Sequence, residues 1–197
     1  VDPDSLQPTA NIAEEWDVED GGQTWIFTIR DDVTFTDGTD MTAEDVAYSM
    51  KRMLEMEAGY SSFWLSYLNP EDVTARDEQT VEFGFNQAYG PALATLVQFY
   101  IVNSEVVQEN EQDGDYGNAY LQDNSAGSGA YILDEWEQGN SISTSAYDDY
   151  WKGWDDNSFD TFRSTVITEQ STIVNTMREG GGDMTDQYMG TQAYEEM

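Results

Sequence analysis

Cysteine and histidine are both absent from the 197-residue sequence. Without cysteine, disulfides and thiol chemistry are excluded, and cysteine usage carries no information on the redox compartment. Without histidine, zinc sites of the usual ligand types and Ser-His-Asp or Cys-His catalysis are excluded within this chain. These two absences remove the commonest nucleophilic and zinc-dependent mechanisms.

Positively charged residues are almost as scarce. Seven Lys plus Arg stand against 40 Asp plus Glu, the formal net charge is -33, and only Lys51 and Lys152 are lysines. Such a charge repels nucleic acid and anionic membrane surfaces. We therefore expect no nucleic-acid partner for this chain.

The acidic residues are spread through every predicted strand, helix and turn, while 13% of the residues are aromatic. This distribution indicates a charged coat on a folded surface. Self-repulsion destabilises a compact chain, and salt reduces that cost because the Debye length falls from about 8 Å at physiological ionic strength to about 3 Å at 1 M. The pattern favours a halophilic protein; a polyanionic calcium or mineral binder is the competing interpretation.

Long apolar runs are also missing. No run approaches the roughly 18 residues of a membrane span, and the sequence has neither a signal peptide nor an initiating methionine. Val1 and Met197 look like cut points, so we expect a piece of a longer protein. A hydrophobic content of 39% is ordinary for one large or two small globular domains.

The first half of the chain alternates between strand and helix patterns. Residues 12–18 and 24–30 predict a hairpin around "EDGG", and Thr42 is the expected N-cap of a helix with an apolar stripe. The alternation in residues 71–85 predicts a second hairpin, and Pro91 suits the first turn of a short helix. The polar segment 110–125 is predicted to be a loop and a domain boundary.

The second half is predicted to contain strands at 131–136, around Ile142 and in "FDTFRSTVIT", the last with a half-buried pattern formed by Phe162, Val166 and Ile167. A helix in "EQSTIVNTMREGGGDM" follows, is closed by glycines, and leads into a short extended "DMT". Strand, helix and strand in this order indicate an α/β layer.

Several of these segments carry a resemblance to a known family. "IAEEWDVEDGGQTWIFTIRDDVTFTDGTDMTAEDVAYSM" resembles the signature region of the family 5 extracellular solute-binding proteins, the peptide, dipeptide and nickel receptors of ABC importers. "GSGAYILDEWEQGNSI", "YDDYWKG" and "REGGGDM" resemble later elements of that family in the same order. The match departs at Thr36, where many members have histidine, and at Asp40 and Ala130, where proline is common.

The resemblance implies a fold and a domain organisation. It implies an α/β fragment of the type II periplasmic-binding-protein-like class, with mixed sheets and flanking helices. Residues 1–123 would form a small lobe of two hairpins and helices, and 124–197 part of the main sheet domain. Family members are more than twice this length, so the second lobe would be absent from this chain.

The resemblance also implies a function. The chain would belong to the substrate-binding component of an ABC importer, which captures a peptide or another small solute in an interlobe cleft and delivers it to the permease subunits. It would act outside the cell, at the cell surface, with contact to the membrane only through an anchor outside these residues. No catalysis, cofactor or metal is expected; an aromatic-rich carbohydrate-binding module and an acidic cation-binding surface protein are the alternatives.

Candidate ligand contacts follow from the same resemblance. In "GYSSFWLSYL" the candidates are Tyr60, Phe63, Trp64 and Tyr67, because rigid aromatic faces supply contact area at low entropy cost. If Trp64 contacts ligand, part of its ring should be accessible; the alternative is that it packs under the helix that begins at Thr42. Weaker candidates complete the set: Phe99, Tyr100, Asp186, Gln187 and Tyr188.

Overall fold

The first sheet is built from two hairpins. The computed structural model describes residues 7–185, in which β1 (Ala13–Glu19) and β2 (Thr24–Ile29) form the first hairpin. Gly21 and Gly22 take positive φ in the turn between them. The second hairpin consists of β3 (Leu68–Ala75) and β4 (Thr80–Phe85), and β4 also pairs with β2. Both predicted hairpins are confirmed, and together they form one antiparallel sheet in the order β1-β2-β4-β3.

Strict alternation buries one face of this sheet. Trp25, Phe27 and Ile29 on β2 and Val81, Phe83 and Phe85 on β4 are all at most 7% exposed. Successive side chains of a strand point to opposite faces, so the residues between them face away from the core. The predicted common face of Val81, Phe83 and Phe85 is confirmed.

The helix α1 (Ala43–Glu55) covers the β3 and β4 side of that face. Thr42 is its N-cap, as predicted, and Asp45 completes a capping box by accepting from the backbone N–H of Thr42 at 2.9 Å. The apolar stripe buries Val46, Met50 and Leu54 against the sheet. Capping and burial therefore fix both the start and the orientation of this helix.

Two short helices follow. The predicted helix after Pro91 is confirmed as α2 (Ala92–Thr95), which continues as a 3-10 turn over Leu96–Gln98. A further helix, α3 (Ser104–Glu109), lies just before the predicted loop. The carboxylate of Asp45 accepts from the Ser104 backbone N–H at 2.9 Å and from its hydroxyl at 2.7 Å. The buried Asp45 thus ties the first turn of α3 to the first turn of α1.

Loop 110–125 is organised by one carboxylate. Asp115 accepts backbone N–H groups of Gln112, Gly117 and Ala119 at 2.9 Å each. The N–H groups of Gln112 and Ala119 are the main reason that the pKa of Asp115 lies below its usual value. The loop is fastened to α1 by Arg52, whose Nε donates to the carbonyl of Tyr116 at 2.7 Å.

The second sheet lies beyond this loop. β5 (Tyr131–Glu137), β6 (Ser141–Ala146) and β7 (Thr161–Thr165) pair in the order β5-β6-β7. Both sheets are antiparallel in the described residues, where the family resemblance implied mixed sheets. The predicted helix after β7 is confirmed as α4 (Gln170–Arg178), with Ile173 and Val174 buried.

The expected half-buried pattern in and after β7 is only partly confirmed, because Ile167 is half-buried but Phe162 and Val166 are exposed. Every residue of the strand is exposed, with Phe162 at 49%, and Val166 just after the strand is 55% exposed. β7 is an edge strand that pairs only with β6 among the described residues. Its β-rich composition predicted the strand correctly, but no element of residues 7–185 packs over it.

A tryptophan joins the two halves of the structure. The Nε1 of Trp151 donates to the carbonyl of Ser128 at 3.1 Å, and the Trp151 ring packs against the buried cluster of Val33, Phe35 and Met41. The Arg30 guanidinium and the Lys152 ammonium lie 5.4 Å and 4.8 Å from the centroid of the Trp151 ring. Two of the seven cations therefore interact with one aromatic ring at the junction of the two sheets.

Candidate ligand-binding site

The aromatic segment 59–67 begins where α1 ends. Gly59 takes a φ of 60°, and residues Ser61–Phe63 then form a 3-10 turn. The backbone N–H of Phe63 donates to the carbonyl of Tyr60 at 3.0 Å, which brings the two side chains to the same side of the turn. Their rings stack with centroids 5.9 Å apart and an interplanar angle of 17°.

This stacked pair is open to solvent. Tyr60 is 47% exposed and Phe63 is 40% exposed, and the neighbouring Leu65 is 41% exposed. Aromatic side chains that are exposed yet held in a fixed stack supply contact area with little entropy to lose on binding. The structure thus brings together two of the predicted contact residues in a geometry that suits an apolar or planar ligand group.

Trp64 is not part of this exposed surface. Its side chain is 0% exposed, so the expectation of a partly accessible ring is wrong. Trp64 packs in the core cluster with Leu54 and Leu68, and Phe63 meets it edge to face at 5.8 Å. The 3-10 turn directs Trp64 inward beneath the exposed pair, as the core interpretation predicted. Trp64 supports the site from below and does not line it.

Tyr67 lies on a second aromatic group. Its ring is 4.7 Å from that of Tyr89, and Tyr89 in turn stacks on Phe85 at 5.0 Å. The hydroxyl of Tyr89 donates to the carbonyl of Phe63 at 2.9 Å, which fixes the segment to the end of β4. Tyr67 is half-buried, so only part of its ring is available for contact.

Tyr89 is a positioning residue that sequence analysis missed. It lies in a short irregular stretch between β4 and α2, where no helical or strand periodicity marks it as a core residue. The only signal is its place shortly before Pro91, which opens a helix. Its buried ring and its hydrogen bond to Phe63 appear only in the folded chain.

The weaker candidates divide between surface and core. Tyr100 is 72% exposed, whereas Phe99 is half-buried and meets Phe83 edge to face at 6.5 Å. Both residues follow the 3-10 turn after α2, outside any strand. The remaining predicted contacts, Asp186, Gln187 and Tyr188, lie outside the described residues.

Within residues 7–185, no three acidic side chains approach closely enough to form a metal site. No helix in that part of the chain combines the length and the apolar character that crossing a membrane requires.

Comparison with known proteins identifies dipeptide-binding proteins among the relatives of the chain. Among curated relatives, the probable D,D-dipeptide-binding periplasmic protein DdpA of Escherichia coli (strain K12) is 34% identical over 145 residues, which are 72% of this chain and 27% of DdpA. The dipeptide-binding protein DppE of Bacillus subtilis (strain 168) is 29% identical over 161 residues, 74% of this chain and 29% of DppE. The chain thus spans less than a third of either relative.

Solved structures share the fold. OppA of Haemophilus influenzae, in complex with the peptide RPPGFSPFR, superposes with a TM-score of 0.75 at 22% identity, over 94% of this chain and 38% of OppA. NikZ of Campylobacter jejuni, in complex with Ni(L-His), gives a TM-score of 0.74 at 17% identity, over 87% of this chain and 33% of NikZ. The fold is therefore part of a type II periplasmic-binding-protein-like α/β structure.

The sequence resemblance, the fold and the relatives agree on one protein family. The model of the bacterial extracellular solute-binding proteins, family 5 Middle, matches residues 7–196, which is nearly the whole chain. The relatives described above are named as dipeptide-binding proteins. The chain therefore belongs to family 5 of the bacterial extracellular solute-binding proteins.

Proposed function

We propose that this chain is part of the substrate-binding component of an ABC importer that captures peptides or other small solutes. The protein delivers its solute to membrane permease subunits without making or breaking a bond. It works outside the cell, held at the surface by an anchor that lies outside these residues. The names of the relatives, which include dipeptide-binding and nickel-binding proteins, support a small solute as the cargo.

We further propose that two parts of the chain belong to different structural units of the protein. Residues 1–123 form a small lobe that carries the aromatic surface, and 124–197 form part of the main domain, while a second lobe closes over the solute from elsewhere in the protein. A small-molecule site usually buries most of its ligand. Closure by a second lobe would supply the cover that one exposed aromatic pair cannot provide.

The stacked and exposed pair of Tyr60 and Phe63 is the observation that carries the proposal. It stands on a rigid base, since Trp64 below it is fully buried and Tyr89 holds its backbone. Exposed aromatic rings with fixed orientation are typical of contact surfaces, where they contribute large areas at low entropy cost.

Removing both rings tests this surface. We expect the double change Tyr60→Ala with Phe63→Ala, made in the full-length receptor, to weaken solute binding at least tenfold, because two contact faces are lost together. Binding is measured by calorimetry with the solute identified by mass spectrometry of the receptor as purified. Both side chains are at least 40% exposed, so the melting temperature should change little.

Phe162→Ala is the matched control, since Phe162 is also an exposed aromatic residue but lies on the second sheet. Binding by this variant should equal that of the unchanged protein. The proposal fails if the double variant retains full affinity, or if Phe162→Ala weakens binding to the same extent.

The acidic coat supports a further proposal, that the protein is adapted to high salt. Among residues 7–185 the structure shows ion pairs for Arg30 with Asp32 and for Arg76 with Glu82, so few of the 40 carboxylates have a cationic partner. Apart from carboxylates that accept hydrogen bonds within the fold, such as Asp45 and Asp115, the acidic groups are stabilised by solvent and by counter-ions.

We expect the melting temperature to rise steeply from dilute buffer to molar KCl, because screening removes self-repulsion that the net charge of -33 creates. Thermal unfolding followed by circular dichroism across a KCl series measures the effect. Sucrose serves as a non-ionic control, since it stabilises folded proteins without screening charge. A flat response to KCl, or an equal response to sucrose, would exclude salt adaptation through screening.

A further inference from the structure

An apolar cavity of about 200 Å³ lies between the first sheet and the α2 segment. Its floor consists of buried residues of β2, β4 and α1: Phe27, Ile29, Val46, Val81 and Phe83. Its walls come from Trp16 on β1 and from the chain that runs through and beyond α2: Leu93, Leu96, Val97, Phe99 and Ile101. The cavity is thus bounded by three separate parts of the fold.

Among residues 7–185, no charged side chain lines this cavity, although 24% of the chain is charged. Its polar lining groups are the Thr9 hydroxyl, the Trp16 indole N–H and the Asn11 amide, and Asn11 is already engaged because its Oδ1 accepts from the Lys152 ammonium at 2.5 Å. The remaining lining residues offer carbon surface. A charged ligand would lose its hydration here without gaining a partner, which excludes ions as occupants.

The size of the cavity defines what can occupy it. An engineered apolar cavity of about 150 Å³, lined by Leu, Ile and Phe, stays dry and binds benzene or xenon. The present cavity is somewhat larger and has the same kind of lining, but it is open to solvent on one side. Water inside it finds few hydrogen-bond partners, so an apolar guest that displaces this water gains affinity.

We propose that this cavity is a binding pocket for one small, uncharged apolar molecule of about the size of a single six-membered ring. Val97, Thr9 and Asn11 are exposed residues of the lining, with Val97 at 49%, so the cavity is accessible from their side. The pocket is distinct from the stacked pair of Tyr60 and Phe63, since neither residue lines it. The inference goes beyond solute capture and does not depend on it.

Benzene is the probe for the test. Titrated into the full-length receptor, it should shift the NMR signals of the Val46 and Val81 methyl groups in a saturable manner and raise the melting temperature. Benzylammonium has the same ring with a positive charge and is attracted by the acidic coat. It should nevertheless bind at least tenfold more weakly, because its charge would have to enter an uncharged cavity.

A matched pair of variants locates the site. Ala13 and Ala75 are both half-buried and pack against the same core cluster, but only Ala13 lines the cavity. We expect Ala13→Leu to fill the cavity and weaken benzene binding at least tenfold, and Ala75→Leu to leave it within twofold of the unchanged chain.

The inference is overturned if the Val46 and Val81 signals do not move with benzene, or if Ala13→Leu binds benzene as well as Ala75→Leu does. The titration of the unchanged chain decides the question by itself if Ala13→Leu does not fold. Because no transported solute enters the test, a failure here is distinguishable from a failure of the proposed transport function.

Discussion

Replacement of Trp64 with alanine is expected to lower the free energy of unfolding by about 3 to 5 kcal/mol, as for other buried large-to-small aromatic changes. Trp64 is fully buried in the core between α1 and β3, so the change leaves a cavity that its neighbours can only partly fill. Urea denaturation in molar KCl measures the loss. Solute binding should weaken as well, because the exposed pair of Tyr60 and Phe63 rests on this ring.

Two other substitutions serve as controls for the effect of Trp64→Ala. Trp136→Ala removes the same side chain from a position that is 43% exposed, and it should stay within about 0.5 to 1 kcal/mol of the unchanged protein. Trp64→Phe keeps most of the ring contacts and should cost clearly less than Trp64→Ala. A loss for Trp64→Ala no greater than that for Trp136→Ala would contradict the buried position of Trp64.

The change Gly117→Ala is expected to cost about 2 to 5 kcal/mol, because two penalties combine. Gly117 takes a φ of 69°, a left-handed conformation that costs a residue with a Cβ roughly 1 to 2 kcal/mol. A Cβ at this position would also lie 2.6 Å from Cγ1 and 2.9 Å from the carbonyl oxygen of Val107 on α3. Urea denaturation again measures the loss.

Gly114→Ala separates the two penalties. Gly114 lies in the same loop and takes a φ of 76°, but a Cβ there would meet no atom within 4 Å. We expect Gly114→Ala to show the conformational cost alone, so Gly117→Ala should be the more destabilising of the two. Equal losses in the two variants would show that the close approach to Val107 has no energetic consequence.

The candidate site could be predicted only in part. The unusual density of aromatic residues in 59–68, which few charges interrupt, marked the segment that carries the exposed stacked pair. The aromatic density did not predict which rings are exposed and which is buried. Tyr60 and Phe63 are exposed, whereas Trp64 is buried. A 3-10 turn of three residues is too short to show a hydrophobic period, so which ring points inward depends on the packing of α1 and β3 around it.

Tertiary contacts also determine the formation or burial of elements whose local sequence pattern is weak. α3 has only six residues, too few for an isolated helix to be stable in water. It forms because Asn103 caps it and because Asp45, 59 positions earlier, binds its first turn. The exposed surface of β7 has the converse origin: its composition favours a strand, but burial requires a packing partner that the described residues do not provide.

The sequence by itself determined the two antiparallel hairpins of the first sheet, the long helix α1, the exclusion of thiol and histidine chemistry, the acidic character and the family. The hairpins and α1 follow from hydrophobic alternation and helix capping, which depend on a few neighbouring residues. The chemical exclusions and the acidic character follow from composition, which does not depend on the fold. Only the tertiary structure decided that Trp64 supports the aromatic surface, that Tyr89 holds it, and that an uncharged cavity lies beneath α2. Such features depend on contacts between residues distant in sequence, whose relative positions exist only once the chain is packed.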